Sequence, residues 1–337
     1  MKTMMIYGAT GYTGRMAAEH AKTARLDLVI AGRAEAPLKQ LAATLGVKYR
    51  VFDVEDAAGI DAALSGISVL LNCAGPYLRT AKPFMKAAIR CGTDYLDIAA
   101  ELDSYTLADA LDQEAKVAGV LLLPGSGGSV AMLGCLAGHA AHRVAEPTQI
   151  RIALHVTGPM SRGSAISATE NMTDCLRLVG GKLVARSPQE LRDFDFGAGA
   201  ASCFPVTLSD LLTIHRATTI PDIETFVHVS GGAFPDGDMS AWPDGPTAEQ
   251  RDANRYQAAV EVTGADGTIV REVLDTVNGY TFTPMASAEA ARRVLAGERR
   301  PGFQTPAGLF GNGFAETIAD TRISDGTAGV RRMGNPS

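Results

Sequence analysis

Three evenly spaced glycines near the start of the chain are the first residues whose type and spacing could do chemistry. Gly8, Gly11 and Gly14 lie in "YGATGYTGR", between the apolar run "MMIY" and the helix-like "RMAAEHAKTA". After a strand and before a helix, this spacing predicts a dinucleotide-binding turn: Gly8 for the tight turn, Gly11 for the pyrophosphate, Gly14 for helix–strand packing. The N–H groups at the helix start would face the anion. The alternative is that the glycine turn serves only the packing of the helix on the strand and binds no dinucleotide. The residues assigned to this turn are Gly8, Thr10, Gly11, Tyr12, Thr13 and Gly14.

The end of the second predicted strand decides which dinucleotide binds. An acidic residue there would hold the ribose 2′-hydroxyl of NAD, whereas an arginine would accept the 2′-phosphate of NADP. The chain has "VIAGRAE", in which Arg33 offers a planar donor fork suited to phosphate. Glu35, two residues farther on, is the local argument for NAD. We therefore expect NADP(H) rather than NAD(H). Asp53 could accept from the adenine amino group, or it could cap a turn or helix.

A second group of candidate residues follows the fourth and fifth predicted strands. Ligands of open α/β sheets lie beyond the carboxyl ends of the strands, so the turn in "NCAGPYLRTAKP" should pass near the nicotinamide. Its narrow Gly-Pro step would point the phenol of Tyr77 toward the cleft. The fifth strand, in "DYLDIAAE", delivers Asp97 and Glu101 to the same edge. The residues of this turn assigned to the cofactor are Cys73, Ala74, Gly75 and Pro76.

Hydride transfer also needs a proton donor or acceptor within hydrogen-bond reach of the reacting carbon. Tyr77 and Glu101 are the leading candidates, with Asp97 and His155 behind them. Tyr77 could instead line the nicotinamide pocket without transferring a proton, and Glu101 could cap the next helix. Solvent could then supply the proton. None of the eight tyrosines is followed by lysine four residues on, which excludes the usual Tyr-x-x-x-Lys mechanism. We expect no metal site, because no Glu or Cys completes a ligand set around the histidines.

Alternating strand and helix patterns must position these residues. From residue 1 to about 146, nearly all-apolar strands alternate with amphipathic helices, which predicts a doubly wound, Rossmann-type parallel sheet. The second domain, expected over 147–300, changes to alternating strands such as "QIRIALHV" and a hairpin around Asp266-Gly267, which predicts an α+β fold with antiparallel strands. Residues 230–246 are expected to form a long surface loop.

Composition limits the class of protein. The 337 residues suit two domains, and a formal net charge of -6 gives no basic surface for nucleic acid. Five scattered cysteines fit reduced thiols, so we expect a cytoplasmic protein. The apolar start is too short for a signal peptide, and the richest apolar stretch is broken by "PGSGGS" into strand, turn and helix, so we expect no membrane span.

Together the motifs resemble the saccharopine dehydrogenase-like oxidoreductases, including their trans-acting enoyl reductase branch. The resemblance implies a Rossmann domain followed by an α/β domain, with the C-terminal segment 301–337 packing back toward the first. Two departures concern the substrate side: Ala100 precedes Glu101 where relatives commonly have glycine, and Gly127-Gly128-Ser129 stands where many have Gly-Phe-Asp. The resembling stretches are "GATGYTGR", "AGR", "NCAGPY", "GTDYLDIAAE", "GVLLLPGSGGS" and "GFQTPAGLFG".

These observations favour an NADP(H)-dependent oxidoreductase that acts on a C=N, C=O or activated C=C bond of a small metabolite. A catalytically silent NADP(H)-binding sensor or partner protein is the alternative, because the fold does not fix the function. Saccharopine itself is less favoured as a substrate, since nothing in the sequence gathers arginines for its carboxylates. A homodimer is a further expectation.

Overall fold

The first domain is built on a parallel sheet of seven strands. The computed structural model describes residues 2–170, 175–232 and 242–326, with backbone only at 167–170. All pairings in this sheet are parallel, in the order β15-β6-β5-β4-β1-β2-β3. The strands are β1 (Met4–Tyr7), β2 (Leu28–Gly32), β3 (Lys48–Val51), β4 (Val69–Asn72), β5 (Asp94–Asp97), β6 (Leu121–Leu123) and β15 (Gly302–Phe303).

Helices cover both faces of this sheet, because successive side chains of each buried strand point to opposite sides. Met5, Tyr7 and Tyr95 belong to the core on one side, where α3 and α4 pack, whereas Met4 and Ile6 belong to the core on the other. The helices of this part are α1 (Tyr12–Thr23), α2 (Glu35–Leu45), α3 (Ala57–Leu64), α4 (Tyr77–Cys91), α5 (Leu102–Ala110), α6 (Asp112–Ala118) and α7 (Gly128–Ala141).

The second domain contains a mixed sheet, in the order β10-β11-β12-β7-β13-β14-β16; off this path, β8 pairs with β12, and β9 pairs with β8. The predicted hairpin is formed by β13 and β14, and Gly267 in its turn has a φ of +82°. The strands are β7 (Pro147–Thr157), β8 (Leu176–Val179), β9 (Lys182–Ala185), β10 (Arg192–Asp195), β11 (Ala200–Pro205), β12 (Asp222–Ser230), β13 (Tyr256–Gly264), β14 (Ile269–Thr276) and β16 (Arg322–Asp325). The helices are α8 (Arg162–Glu170), α9 (Asp210–Thr218), α10 (Ala248–Asp252), α11 (Gly279–Leu295) and α12 (Pro306–Phe310).

One continuous apolar core joins the two sheets. Helix α7 packs against β13 and β14 of the second sheet and also against α11, which itself packs on α1, β4 and β5. An apolar helix without a polar face is stable only when it is covered all round, and this position explains the apolar stretch after "PGSGGS". The late strand β15 then joins the first sheet beside β6, while β16 joins the second sheet beside β14. Within the described residues, no helix is long and apolar enough to cross a membrane.

Two local expectations were wrong. The residue spacing predicts a helix from Thr80 to Cys91, but α4 starts at Tyr77, because the extended Pro76 directly precedes the first helical residue. The spacing also predicts one helix from Ser104 to Ala118, but the structure has two helices, α5 and α6, which meet at Leu111. The second sheet contains the expected antiparallel strands, and the parallel pairing of β7 with β12 makes it a mixed sheet. Residues 233–241 of the expected 230–246 loop lie outside the described residues.

Candidate functional site

The glycine turn between β1 and α1 is packed so tightly that two of its positions have no room for a side chain. Gly8 has a φ of +78°, and a Cβ added there would lie 2.9 Å from the amide nitrogen of Ala74. A Cβ added at Gly14 would lie 2.2 Å from the carbonyl oxygen of Gly8. The first turn of α1 therefore lies directly on the glycine turn, which in turn lies against the loop after β4.

Gly11 is different, because it is exposed and less crowded than Gly8 and Gly14. A Cβ added there would meet only the carbonyl oxygen of Gly8, at 3.3 Å. Gly11 is also the N-cap of α1, so no side chain of the cap satisfies the first amides of the helix, and the first turn contains no acidic residue. Such a helix start is complementary to an anion in both shape and charge. Thr10, Tyr12 and Thr13 are half-buried around it.

At the end of β2 the side chain of Arg33 is exposed, and it forms no hydrogen bond or ion pair with any residue that the structure describes. Glu35, the local argument for NAD, begins α2, and one of its carboxylate oxygens accepts from the Tyr49 hydroxyl at 3.4 Å. Asp53 accepts a hydrogen bond from the amide of Glu55 at 3.0 Å, which supports its alternative role as a turn-capping residue. Its recognition of adenine stays a prediction. Burial raises the pKa of Tyr7, which lies near Arg33 and Asp53, to about 12.

The turn after β4 is held by the buried side chain of Asn72. Its Nδ2 donates to the Thr80 hydroxyl at 3.0 Å, and its Oδ1 accepts from the Ala74 amide at 3.0 Å. The Thr80 hydroxyl donates to the carbonyl of Ala74 at 2.7 Å. These bonds fix Cys73 and Ala74 beside Gly8, and the following Gly75–Pro76 bond is cis. Burial raises the pKa of the Cys73 thiol, so this thiol is a packing group rather than a thiolate.

Tyr77 does not project into an open cleft. Its side chain is 7% exposed, and its hydroxyl donates a long hydrogen bond of 3.4 Å to the carbonyl oxygen of Asn72. Burial raises the pKa of Tyr77 well above its usual 10, with nearby Cys73 and Asp97 adding to the shift. The phenol is therefore directed to the main chain, and its role as a proton donor stays a prediction.

Asp97 is fully buried at the end of β5 and accepts three hydrogen bonds. They come from the amides of Ala99 at 3.0 Å and Gly125 at 2.8 Å, and from the Tyr95 hydroxyl at 2.8 Å. Burial raises the pKa of Asp97 to about 6, although these donors oppose the shift. Glu101 is 5% exposed, and its Oε2 accepts from the amide of Ala100 at 2.9 Å. It is the N-cap residue of α5 but makes no side-chain capping bond.

A third buried carboxylate, Asp210, was missed in the sequence. It is the first residue of α9, and neither of its oxygens has a well-formed hydrogen bond within the described residues, although Ser129 is close enough to lower its pKa. Burial raises the pKa of Asp210 to about 7. The charges of Asp97, Asp210 and Glu101 all act on the Tyr105 hydroxyl, so we call these three residues the carboxylate cluster. The stretch "SDLL" looks like an ordinary helix start, so the sequence does not show that Asp210 is buried near two other carboxylates.

The second domain also reaches the glycine turn through residues 242–252, which we call the clamp segment. The Tyr12 hydroxyl donates to the carbonyl of Pro246 at 2.5 Å, and Arg251 donates to the same hydroxyl at 2.8 Å. A Cβ added at Gly245 would lie 2.5 Å from the Tyr12 ring. Tyr280 of α11 packs edge-on against this ring, with a centroid distance of 5.8 Å. The first residue of α1 is thus enclosed by the second domain.

The other residues considered in the sequence lie elsewhere. His155 is on β7, and its hydrogen-bond partners Ser230, at 2.8 Å, and Gln257, at 3.3 Å, both belong to the second sheet. His139 contacts Glu272 at 2.7 Å. In the described part of the chain, no group of three His, Cys, Asp or Glu side chains is arranged to hold a metal ion.

Comparisons with known proteins agree with this geometry. Residues 4–123 match the family described as Saccharopine dehydrogenase NADP binding domain. A trans-acting enoyl reductase from Mycobacterium leprae is 36% identical over 108 residues, which are 29% of this chain and 25% of that protein. A saccharopine dehydrogenase-like oxidoreductase from Mus musculus is 29% identical over 144 residues, which are 37% of this chain and 34% of that protein. The aligned part thus spans about a quarter to a third of these relatives.

Solved structures extend the likeness to the whole chain at the level of the fold. Saccharopine dehydrogenase (L-Glu forming) from Saccharomyces cerevisiae superposes with a TM-score of 0.65 at 15% identity, covering 96% of this chain and 99% of that one. Homospermidine synthase from Legionella pneumophila, solved in complex with NAD, gives 0.67 at 10% identity, covering 99% and 94%. The resemblance to the saccharopine dehydrogenase-like proteins is confirmed: residues 4–123 match the model of their NADP-binding domain, and the chain shares its fold with saccharopine dehydrogenase.

Proposed function

We propose that this protein is an NADP(H)-dependent oxidoreductase that transfers a hydride to or from a C=N, C=O or activated C=C bond of a small metabolite. The observation that carries the proposal is the open, uncapped start of α1 behind Gly11, within the segment that matches an NADP-binding family. When bound, the cofactor would supply or accept the hydride. The chain would offer the helix start to the pyrophosphate and the exposed Arg33 to a 2′-phosphate.

The preference for NADP(H) over NAD(H) rests on the second strand's end. Arg33 is exposed and unpaired within the described residues, whereas Glu35 is held by Tyr49. A guanidinium in this position attracts a 2′-phosphate, and no carboxylate directly follows Gly32 to bind a 2′-hydroxyl instead. Gly8, Thr10, Gly11, Tyr12, Thr13 and Gly14, with the turn from Cys73 to Pro76, form the remainder of the proposed cofactor site, and Asp53 is proposed to meet the adenine.

Glu101 is our leading candidate for the group that holds the transferred proton. It lies at the carboxyl end of β5 beside the buried Asp97, whereas the Tyr77 hydroxyl is already directed to the carbonyl of Asn72. Tyr77 remains the second candidate. General acid catalysis requires a proton donor held within hydrogen-bond reach of the reacting carbon, and Glu101 is placed at the strand end where the nicotinamide is expected.

The experiment is consumption of NADPH, followed by its absorbance, with panels of imines, ketones and enoyl compounds. Turnover of any of them with cofactor binding would support the proposal. The burial of both Tyr77 and Glu101 favours the second candidate function, an NADP(H)-binding sensor or partner protein. Tight NADPH binding without turnover across all three panels would favour that function instead.

A further inference from the structure

Arg251 of the clamp segment is half-buried, and its hydrogen-bond partners among the described residues are all neutral. Its Nη1 donates to the Tyr12 hydroxyl at 2.8 Å and to the carbonyl of Pro246 at 3.0 Å, and its Nε donates to the Thr281 hydroxyl at 3.2 Å. Across the described ranges no carboxylate forms an ion pair with it, and its Nη2 makes no hydrogen bond.

Other arginines of the second domain are arranged differently. Arg255 pairs with Asp275 and Asp320, and Arg192 pairs with Glu261. Arg162, which holds the same clamp segment, pairs with Asp244 and donates to the carbonyl of Trp242 at 3.2 Å. Arg251 thus forms no direct ion pair in the described structure, although the Glu249 carboxylate lies near enough to interact with its charge.

The charge of Arg251 lies close to the positive end of helix α1. Tyr12 is the first residue of α1, where the helix dipole is positive, and the guanidinium lies 5.9 Å from the centroid of its ring. The first turn of α1 carries no acidic residue that could offset either charge. Arg251 thus places a positive charge one phenol ring away from the positive helix end, and both charges favour an anion in their vicinity.

We infer that Arg251 is a cofactor-binding residue contributed by the second domain, and that its free Nη2 contacts the pyrophosphate seated on the glycine turn. This inference rests on the proposed function, and it assigns to the pyrophosphate a ligand 239 residues away from Tyr12 in sequence. It also makes the clamp segment part of the cofactor site, so that cofactor binding holds the two domains together at this contact.

The test compares Arg251→Met with the wild-type protein by isothermal titration calorimetry. The ligands are NADPH, ADP-ribose 2′-phosphate, which keeps the pyrophosphate, and adenosine 2′-monophosphate, which lacks it. Loss of one charge-assisted contact should weaken the first two by about tenfold or more. Binding of adenosine 2′-monophosphate should change by less than about twofold. Arg251→Lys, which keeps the charge but loses the fork, should recover part of the loss.

Arg162→Met is the matched control, because it removes an anchor of the same clamp segment without removing a cation from the glycine turn. It should leave all three affinities within about threefold. Three results would overturn the inference. They are equal losses of affinity in Arg162→Met and Arg251→Met, an equal loss for all three ligands in Arg251→Met, and full NADPH affinity in Arg251→Met.

If Arg251→Met does not fold, Tyr12→Phe replaces it, because this variant removes the hydroxyl that positions Nη1. Tyr12→Phe should weaken binding of only the two ligands that contain the pyrophosphate. Failure of the wild-type protein to bind NADPH would overturn the proposed function, and this inference with it.

Discussion

The glycine turn and the carboxylate cluster lie at the same edge of the first sheet but are built in different ways. The turn is made of backbone from seven consecutive residues, and its shape is set by contacts such as that of Gly14 with the carbonyl of Gly8. The cluster gathers Asp97, Glu101 and Asp210 from three elements, and its properties come from burial. The proposed cofactor site therefore depends mainly on the backbone, whereas the proposed proton-transfer site depends on side chains gathered by the fold.

The largest expected effect is at the turn. Gly11→Val should abolish NADPH binding, with affinity falling by more than about a hundredfold, because the branched side chain would fill the space open to the pyrophosphate. The fold should survive, since an added Cβ meets only one atom, at 3.3 Å. Gly163→Val, where an added Cβ meets nothing within 4 Å, is the control and should bind normally. Titration and thermal unfolding of both variants check this, and unchanged binding by Gly11→Val would remove the turn from the site.

Within the carboxylate cluster, Glu101→Gln should lower kcat by about a hundredfold while NADPH affinity changes by less than about threefold. Tyr77→Phe should lower kcat by less than about tenfold, because its hydroxyl bonds to the main chain. Steady-state kinetics on the substrate found in the panel separates the two. A larger loss in Tyr77→Phe than in Glu101→Gln would reverse their roles.

Asp210 gives a pH-dependent prediction. Its pKa is about 7 in the folded protein, above the ordinary value of 3.8, so the folded state keeps a proton that the unfolded state has lost. Its contribution to stability is thus lost as the pH rises from about 4 through about 7. In Asp210→Asn the fall in the free energy of unfolding between pH 5 and pH 8 should shrink by roughly 2 kcal/mol. Urea unfolding at the two pH values measures it, and an unchanged difference would mean that Asp210 is already ionised.

The same contrast explains what the sequence could predict. The glycine turn, the strands of the first sheet and the helix α1 follow from neighbouring residues, so local patterns were sufficient. The partners of Asp210 and Arg251 could not be predicted, because Ser129 and Tyr12 lie far away in the chain. Parallel pairing of β7 with β12 is likewise decided by packing between distant segments. Tyr77 was placed on a turn because Gly75-Pro76 marks one, although α4 begins directly after it.

The central claim is that the first domain binds NADP(H) through Gly11 and Arg33, and fluorescence titration of NADPH and NADH tests it most directly. NADPH should bind at least about tenfold more tightly than NADH, because the 2′-phosphate gains a charge-assisted contact with Arg33. In Arg33→Ala this preference should fall to less than about threefold, while NADH affinity stays the same. Equal affinities in the wild-type protein, or an undiminished preference in Arg33→Ala, would contradict the account.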